Sequence, residues 1–126
     1  MECSCIGTDY DGEGWDIGPS ETYPIAKKNW TCCECREKIP KGEKYSCYSG
    51  KTDGRFIVYR TCLDCRSVTN HLFCGWTFEC VWDDVWCHIS DTQGEISWEK
   101  VSKLTPIARE KVCAMVEKVW KEAYYD

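Results

Sequence analysis

The features that this sequence lacks narrow its class first. The 126-residue chain has no run of about 18 apolar residues, so no segment is predicted to span a membrane. It has no internal repeat and no low-complexity tract, and 13% of its residues are aromatic. This composition excludes a disordered polymer, a collagen-like chain and a coiled coil. A single domain over residues 1–126 is therefore expected.

Catalytic motifs are also missing. The only two histidines are His71 and His88, and neither belongs to the H-x-E and P-C-x-x-C pattern of zinc deaminases or the H-E-x-x-H pattern of metalloproteases. No Ser-His-Asp order, phosphate-binding loop or dinucleotide fingerprint is present. Asp84 and His88 are four residues apart, a spacing that suits a plain surface pair better than a metal site. We therefore expect a protein that is not an enzyme.

The first residues carry none of the features of a secretory leader. They include no basic segment, no apolar segment and no small-residue cleavage site. We therefore expect a reducing compartment, the cytoplasm, where disulfides are rare. Cysteine, in contrast, is abundant, at 12 of the 126 residues. A short chain this rich in cysteine needs covalent or metal crosslinks or performs thiol chemistry, and a reducing compartment favours metal.

Two C-x-x-C pairs form the strongest motif. Cys32 and Cys35 make the first pair, and Cys62 and Cys65 make the second after 26 intervening residues. Four thiolates at about 2.3 Å from one ion complete the tetrahedral shell of a structural zinc site. Zinc would replace a hydrophobic core that this short segment is too small to build. The alternative, a pair of redox-active or disulfide-forming motifs, lacks the βαβ context of a thioredoxin-type site. Cys33 fits the spacing less well and is expected to pack beside the site.

The remaining cysteines predict a second zinc site. An N-terminal C-x-C supplies only two ligands, so two more must come from the region after the second C-x-x-C pair. The candidate ligands are Cys3, Cys5, Cys74 and Cys80. His71, Cys87 or His88 could replace one of them. The alternative is that the later cysteines are small buried thiols and that the N-terminal segment is loose.

Turn signals and hydrophobic periodicity indicate an α+β fold in three segments. Residues 1–28 are acidic and glycine-rich and are expected to be irregular. Residues 29–73 contain two β-rich runs, 45–49 and 55–60, with glycines between them, which predicts a hairpin. Residues 74–126 have apolar residues at helical spacing and are expected to form a three-helix cap.

Capping signals and apolar stripes define the helices of the last segment. Ser97 and the pair Thr105-Pro106 are typical helix starts. The first helix of the cap is expected to bury Phe78 and Trp82 on one face. The last helix is expected to bury a stripe that includes Trp120.

The order of these features resembles the treble-clef zinc finger. The resemblance covers about residues 29–72 and rests on Cys32-x-x-Cys35-x-x-x-Ile39-x-x-Gly42-Glu43-x-Tyr45, a hairpin, and Cys62-x-x-Cys65 leading into a helix. It implies a knuckle that holds the first pair, a β-hairpin, and a helix opened by the second pair. The wider pattern, with a C-x-C before the finger and Cys74 after it, is similar to small cysteine-rich proteins of bacteriophages and prophages. That likeness implies the host bacterial cytoplasm and the binding of a host protein, in some cases to block a defence system.

Charge indicates the kind of partner. Residues 1–31 hold six acids and two bases, residues 32–66 five acids and eight bases, and residues 67–126 ten acids and six bases. Because a Cys₄ zinc centre carries a further charge of about −2, the basic excess of the finger is small. We therefore expect a non-enzymatic zinc protein of phage origin that binds a host protein with a basic surface, such as a defence or nucleic-acid-processing factor. The candidate contacts lie in the acidic N-terminal segment: Asp9, Asp11, Glu13, Trp15 and Asp16.

Two other functions stay open at this stage. The finger segment is basic, and aromatic residues alternate with some of its bases, an arrangement that suits a nucleic-acid-binding regulator using the basic β-hairpin. The bases are Arg36, Lys38, Lys41, Lys44, Lys51, Arg55, Arg60 and Arg66, and the aromatics are Tyr45, Tyr48, Phe56 and Tyr59. Such a regulator is less expected, since a chain with a net charge of −5 is a poor general ligand for a polyanion. A metal-dependent nuclease is the other alternative, and it would need the two histidines as metal ligands.

Overall fold

The computed structural model of the protein describes residues 17–124 and has a mixed α+β fold, which confirms the predicted class. The elements in chain order are β1 (Ile17–Thr22), β2 (Trp30–Thr31), β3 (Lys38–Ile39), β4 (Tyr45–Thr52), β5 (Arg55–Cys62), α1 (Leu63–Leu72), α2 (Val81–Asp91), α3 (Trp98–Val101) and α4 (Pro106–Tyr124). Strands β1, β4 and β5 form an antiparallel sheet in the order β1-β4-β5, and β2 pairs with β3. Over the described range, no helix has both the length and the apolar character needed to cross a membrane.

The predicted hairpin is confirmed as β4 and β5. Thr52 pairs with Arg55, so the loop contains only Asp53 and Gly54. Both loop residues have positive φ, 50° and 77°, which is the backbone of a type I′ turn. Aspartate followed by glycine is a favoured sequence for that turn, because both residues tolerate the left-handed region. The local sequence therefore sets the register of the two strands.

Strand β1 corrects the expectation that residues 1–28 are irregular. Its sequence, IGPSET, has no apolar alternation, so no local pattern predicted a strand. Glu21 on β1 pairs with Tyr48 of β4 in the antiparallel register. The Glu21 carboxylate accepts hydrogen bonds from the Arg66 guanidinium of α1 at 2.7 Å and from the Ser46 hydroxyl at 2.6 Å. Burial raises the pKa of Glu21, but these hydrogen bonds outweigh it and leave the pKa below its usual value.

The ion pair between Glu21 and Arg66 is largely shielded from solvent and is expected to stabilise the fold by about 1–2 kcal/mol at neutral pH. Because the pKa of Glu21 is lower in the folded chain than in the unfolded chain, this contribution is present above the unfolded value of about 4.3. It is lost as the pH falls through the folded value. Denaturant unfolding of the parent and of Glu21→Gln should therefore differ most near neutral pH and converge in acid. The exposed Glu110→Gln is the control, and a difference that does not change with pH would contradict this account.

The helices share one hydrophobic core. Its buried residues are Val68, Leu72, Phe73, Val81, Val85, Ile89, Val101, Leu104, Ala108, Val112, Val116 and Val119. The Ser97 hydroxyl accepts a hydrogen bond from the Lys100 N–H at the start of α3, and the Thr105 hydroxyl accepts one from the Ala108 N–H at the start of α4. Both predicted caps are therefore confirmed.

Phe78 does not belong to a helix, contrary to the stripe predicted for it. Helix α2 begins three residues later, at Val81, and Glu79 has a φ of 73°, which interrupts any helix before that point. The Phe78 ring stacks on Tyr59 of β5, with 4.0 Å between ring centroids, and meets Trp76 edge to face. The Phe78 ring therefore packs against an aromatic ring of the sheet rather than on a helix. The apolar stripe of α2 starts at Val81.

Trp120 is also less buried than predicted, with 42% of its surface exposed. Its indole N–H donates to the Gln93 carbonyl at 3.1 Å in the loop after α2. Gly94 lies directly against the ring, and a Cβ atom there would collide with the indole. This close approach, together with a φ of 86°, requires glycine at position 94.

Candidate metal centre

The four cysteines of the two C-x-x-C pairs come together in the structure. Cys32 and Cys35 lie in the loop between β2 and β3, Cys62 ends β5, and Cys65 lies in the first turn of α1. Their sulfurs all lie within 4.8 Å of one another, and the sulfurs of Cys35 and Cys62 are 3.9 Å apart. A tetrahedron with metal–sulfur bonds of about 2.3 Å has sulfurs about 3.8 Å apart. The site therefore fits a metal ion such as zinc, as the spacing predicted.

The loop that carries the first pair is a tight turn stabilised by backbone hydrogen bonds. The Arg36 N–H donates to the Cys32 carbonyl at 3.1 Å, and the Cys32 N–H donates to the Glu37 carbonyl at 2.9 Å. Arg36 adopts a φ of 64° to close the turn. The N–H groups of Glu34 and Cys62 both approach the Cys32 sulfur at 3.4 Å. N–H groups aimed at a sulfur favour the thiolate, which is the form that binds metal.

The close approach of the four sulfurs limits how many of them can be ionised without a cation. Hydrogen bonds from the thiols of Cys62 and Cys65 hold the pKa of Cys32 well below its usual value. The same contacts to Cys32 raise the pKa of Cys62 and that of Cys65. Four sulfurs this close cannot all ionise on their own, because like charges repel in a partly buried site. A bound divalent ion would supply the missing positive charge and permit all four thiolates.

Glu34, between the first two cysteines, joins the metal loop to the helical part of the protein. Its side chain is buried, with 9% of its surface exposed, and its carboxylate accepts hydrogen bonds from the N–H groups of Glu79 at 2.9 Å and Val81 at 3.2 Å. Val81 is the first residue of α2, so the carboxylate satisfies donors at that helix start. Burial raises the pKa of Glu34, although these two donors oppose the shift. No sequence signal identified this residue, since an acid inside a C-x-x-C pair has no preferred structural role.

Trp82 of α2 makes the second link between the metal centre and the helices. Its indole N–H donates to the Cys65 sulfur at 3.2 Å. The ammonium of Lys111 on α4 lies 4.0 Å from the centroid of the Trp82 ring. Hydrogen bonds to metal-ligating atoms orient the ligands and tune the site. The predicted core position of Trp82 is therefore also a position next to the metal ligands.

Cys33 is not a member of the metal cluster, as predicted. Its sulfur lies 3.4 Å from the Thr61 hydroxyl and 3.4 Å from the Glu34 carboxylate. Burial raises the pKa of the Cys33 thiol to about 12, so it stays protonated at neutral pH. Cys33 is therefore a packing thiol beside the ligands.

A cavity of about 510 Å³ opens beside the metal centre. Its lining includes the three ligand cysteines Cys35, Cys62 and Cys65 together with Trp82 and Ile107. Three of the four candidate ligands therefore face a space next to the protein surface rather than a closed core.

The second predicted zinc site stays a prediction. Cys3 and Cys5 lie outside the described residues, as do the proposed contacts Asp9, Asp11, Glu13, Trp15 and Asp16. Cys74 is disulfide-bonded and would be a zinc ligand only after reduction, while Cys80 is a free thiol. Within residues 17–124, the cluster of the two C-x-x-C pairs is the one group placed for metal, and it includes neither His71 nor His88 nor Cys87.

No family model matches the chain, and neither a curated protein nor a solved structure is significantly similar to it. The likeness to treble-clef fingers and to phage proteins therefore rests on the cysteine spacing and the order of elements. The four-cysteine cluster is the part of that likeness which the structure supports.

Proposed function

We propose that this is a non-enzymatic binding protein whose zinc ion is structural and whose partner is a host protein. The observation that carries the proposal is the set of four cysteine sulfurs within 4.8 Å of one another. Four thiolates fill the coordination shell of zinc, whereas catalytic zinc keeps one position for water or substrate. Glu34 of the metal loop accepts a hydrogen bond from the Val81 N–H of α2, and Trp82 of α2 donates one to the Cys65 sulfur. The proposed role of the ion is therefore structural: it would hold the finger against α2.

The proposal includes a treble-clef arrangement for the finger. The loop between β2 and β3 acts as the knuckle, β4 and β5 form the hairpin, and α1 is opened by the second cysteine pair. Helices α2, α3 and α4 then form the cap. The phage origin and the host bacterial cytoplasm are inferred from the resemblance of the cysteine pattern.

The charge distribution supports a partner with a basic surface. Residues 1–16 hold five acids and no base, while residues 17–124 hold 15 acids and 16 bases. The acidity of the chain is therefore concentrated in its N-terminal segment. We propose that Asp9, Asp11, Glu13 and Asp16 contact basic residues of a host defence or nucleic-acid-processing factor, with Trp15 as an apolar anchor.

Neutralising the N-terminal acids is expected to abolish capture of the host partner. The variant Asp9→Asn/Asp11→Asn/Glu13→Gln/Asp16→Asn removes four charges that steer and hold a basic surface. The matched control, Glu95→Gln/Glu110→Gln/Glu117→Gln/Glu122→Gln, removes four charges from exposed positions elsewhere. Capture from bacterial lysate near physiological salt should survive in the control and fail in the N-terminal variant. Equal capture by both variants would contradict the proposed contact, and no capture above background by the parent would contradict the protein partner.

A nucleic-acid-binding regulator is the second candidate, and one observation favours it. The hairpin bases Lys51, Arg55 and Arg60 form no ion pair with any acid of residues 17–124. Bases without acidic partners are available to phosphate groups. A metal-dependent nuclease has no comparable support, because neither histidine joins the cysteine cluster.

A further inference from the structure

We infer that the outer face of the sheet binds single-stranded nucleic acid, with bases stacked on its aromatic side chains and phosphates held by its cations. The outer face consists of Phe56, Val58 and Arg60 of β5, Lys51 of β4, and Lys28 and Trp30 beside them. The inference rests on the second candidate function, a nucleic-acid-binding regulator, and names its ligand class and binding face. It concerns residues different from the acidic contacts proposed for the host protein, so the two can fail separately.

The pleat of the hairpin separates the outer face from an occupied inner face. Lys51 pairs with Phe56, so both side chains lie on the same side of the sheet. Tyr59, one residue from Val58 and therefore on the opposite side, is covered by the stacked ring of Phe78. Phe56, in contrast, has 79% of its surface exposed, and Val58 has 43% exposed. The outer face thus keeps an aromatic ring available for a ligand.

Cations gather around a second aromatic ring on this face. The guanidinium of Arg60 lies 3.6 Å from the centroid of the Trp30 ring, and the ammonium of Lys28 lies 4.2 Å from it. Neither cation, nor Lys51, forms an ion pair with an acid in the described part of the chain. Within residues 17–124 these three cations therefore lack an acidic partner, and the phosphates of a polyanion would supply negative charge at this face.

The combination of an exposed aromatic ring with unpaired cations favours a single strand over a duplex. An unpaired base presents a free π surface that can stack on phenylalanine, whereas duplex stacking hides that surface. Stacking accepts any base, and the cations contact the backbone, so the binding should depend little on sequence. A protein surface would need acids placed to match these cations, but a polyanion needs only its phosphates.

The loop that carries two of the metal ligands is hydrogen-bonded to the outer face. The Cys33 N–H, in the metal loop, donates to the Arg60 carbonyl at 2.8 Å. This bond ties β5 to the loop that carries Cys32 and Cys35. Loss of the metal should therefore disturb the position of Arg60 and Trp30 as well as the finger itself.

The test uses the intact zinc-loaded protein and a labelled oligothymidylate of about 20 nucleotides, followed by fluorescence anisotropy. We expect the single strand to bind more tightly than a duplex of equal length, and binding to weaken as salt rises from about 50 to about 200 mM. Phe56→Ala should weaken binding about tenfold through lost stacking. Arg60→Gln should lower the salt dependence by about 0.7 of a logarithmic unit per logarithmic unit of salt. Ile107→Ala, another exposed apolar position but on α4, should leave binding unchanged.

Phe56→Ala keeps the result interpretable, because an exposed side chain can be removed without unfolding the protein. The inference is overturned if the parent shows no binding at about 100 µM protein in low salt. It is also overturned if Phe56→Ala binds like the parent, or if the duplex binds as tightly as the single strand. If Phe56→Ala instead loses capture of a host protein while the oligonucleotide stays unbound, the face is a protein-docking surface. Oligonucleotide binding that survives neutralisation of the N-terminal acids supports the inference even when the proposed host partner fails its own test.

Discussion

Cys35→Ser is expected to abolish metal binding at the four-cysteine site and to unfold the finger. Serine cannot supply the thiolate that completes the shell, and three cysteines hold zinc far less tightly in a site of this kind. A bound ion supplies much of the folding free energy of a small metal-bound segment, so the finger should unfold when the ion is lost. Native mass should show one zinc ion fewer than in the parent. Far-UV circular dichroism and the melting temperature should both fall.

Cys33→Ser is the matched control for this experiment. Cys33 lies in the same loop but outside the metal cluster, so this variant should keep the ion and most of its stability. A spectrum and melting temperature unchanged by Cys35→Ser would disprove a structural metal. Native mass under non-reducing conditions counts ions and disulfides together. It therefore also decides whether Cys3, Cys5, Cys74 and Cys80 bind a second ion or whether Cys74 stays oxidised.

Glu34→Ala is expected to lower the free energy of unfolding by about 2–4 kcal/mol, with the metal still bound. The substitution leaves the N–H groups of Glu79 and Val81 without the carboxylate that accepts from them in a buried position. It also removes a negative charge from the start of α2. Urea unfolding of the zinc-loaded variant measures the loss. Amide hydrogen exchange at Val81 should quicken, because its hydrogen bond is gone.

Two further variants separate the bonds of Glu34 from its charge and from general disturbance of the loop. Glu37→Ala removes an exposed acid three residues away and should cost little stability. Glu34→Gln keeps one acceptor oxygen but turns the other into a donor that faces an N–H, so it should lie between the parent and alanine. If Glu34→Ala were no worse than Glu37→Ala, the buried carboxylate would not join the finger to the cap.

The predictions for Cys35→Ser and Glu34→Ala both concern the connection between the finger and the helical cap. The buried residues form one cluster around the metal loop and another among the helices, and Trp82 packs against both. Its indole also donates to the Cys65 sulfur. Glu34 of the metal loop and Trp82 of α2 both make contacts that join the metal centre to α2. Loss of the ion should therefore weaken the helical cap as well as the finger.

Short-range chemistry was enough to predict a large part of this protein. The spacing within each C-x-x-C pair, the glycine-containing turn between the two hairpin strands and the caps at Ser97 and Thr105 each involve residues only a few positions apart. Such features depend on backbone geometry that neighbouring residues specify by themselves. The hairpin then brings the second cysteine pair to the first, which is why the metal site could be assembled from the sequence.

Contacts between distant parts of the chain decided the rest. Strand β1 has no apolar pattern of its own but pairs with β4, and its Glu21 reaches Arg66, 45 residues later. Glu34 joins the metal loop to Glu79 over the same separation of 45 residues. Phe78 was predicted to lie on a helix, but its ring stacks on Tyr59 of the sheet. A polar side chain or an aromatic ring acquires such a role only when folding places its partner within reach, and nothing in its own neighbourhood along the chain specifies that partner.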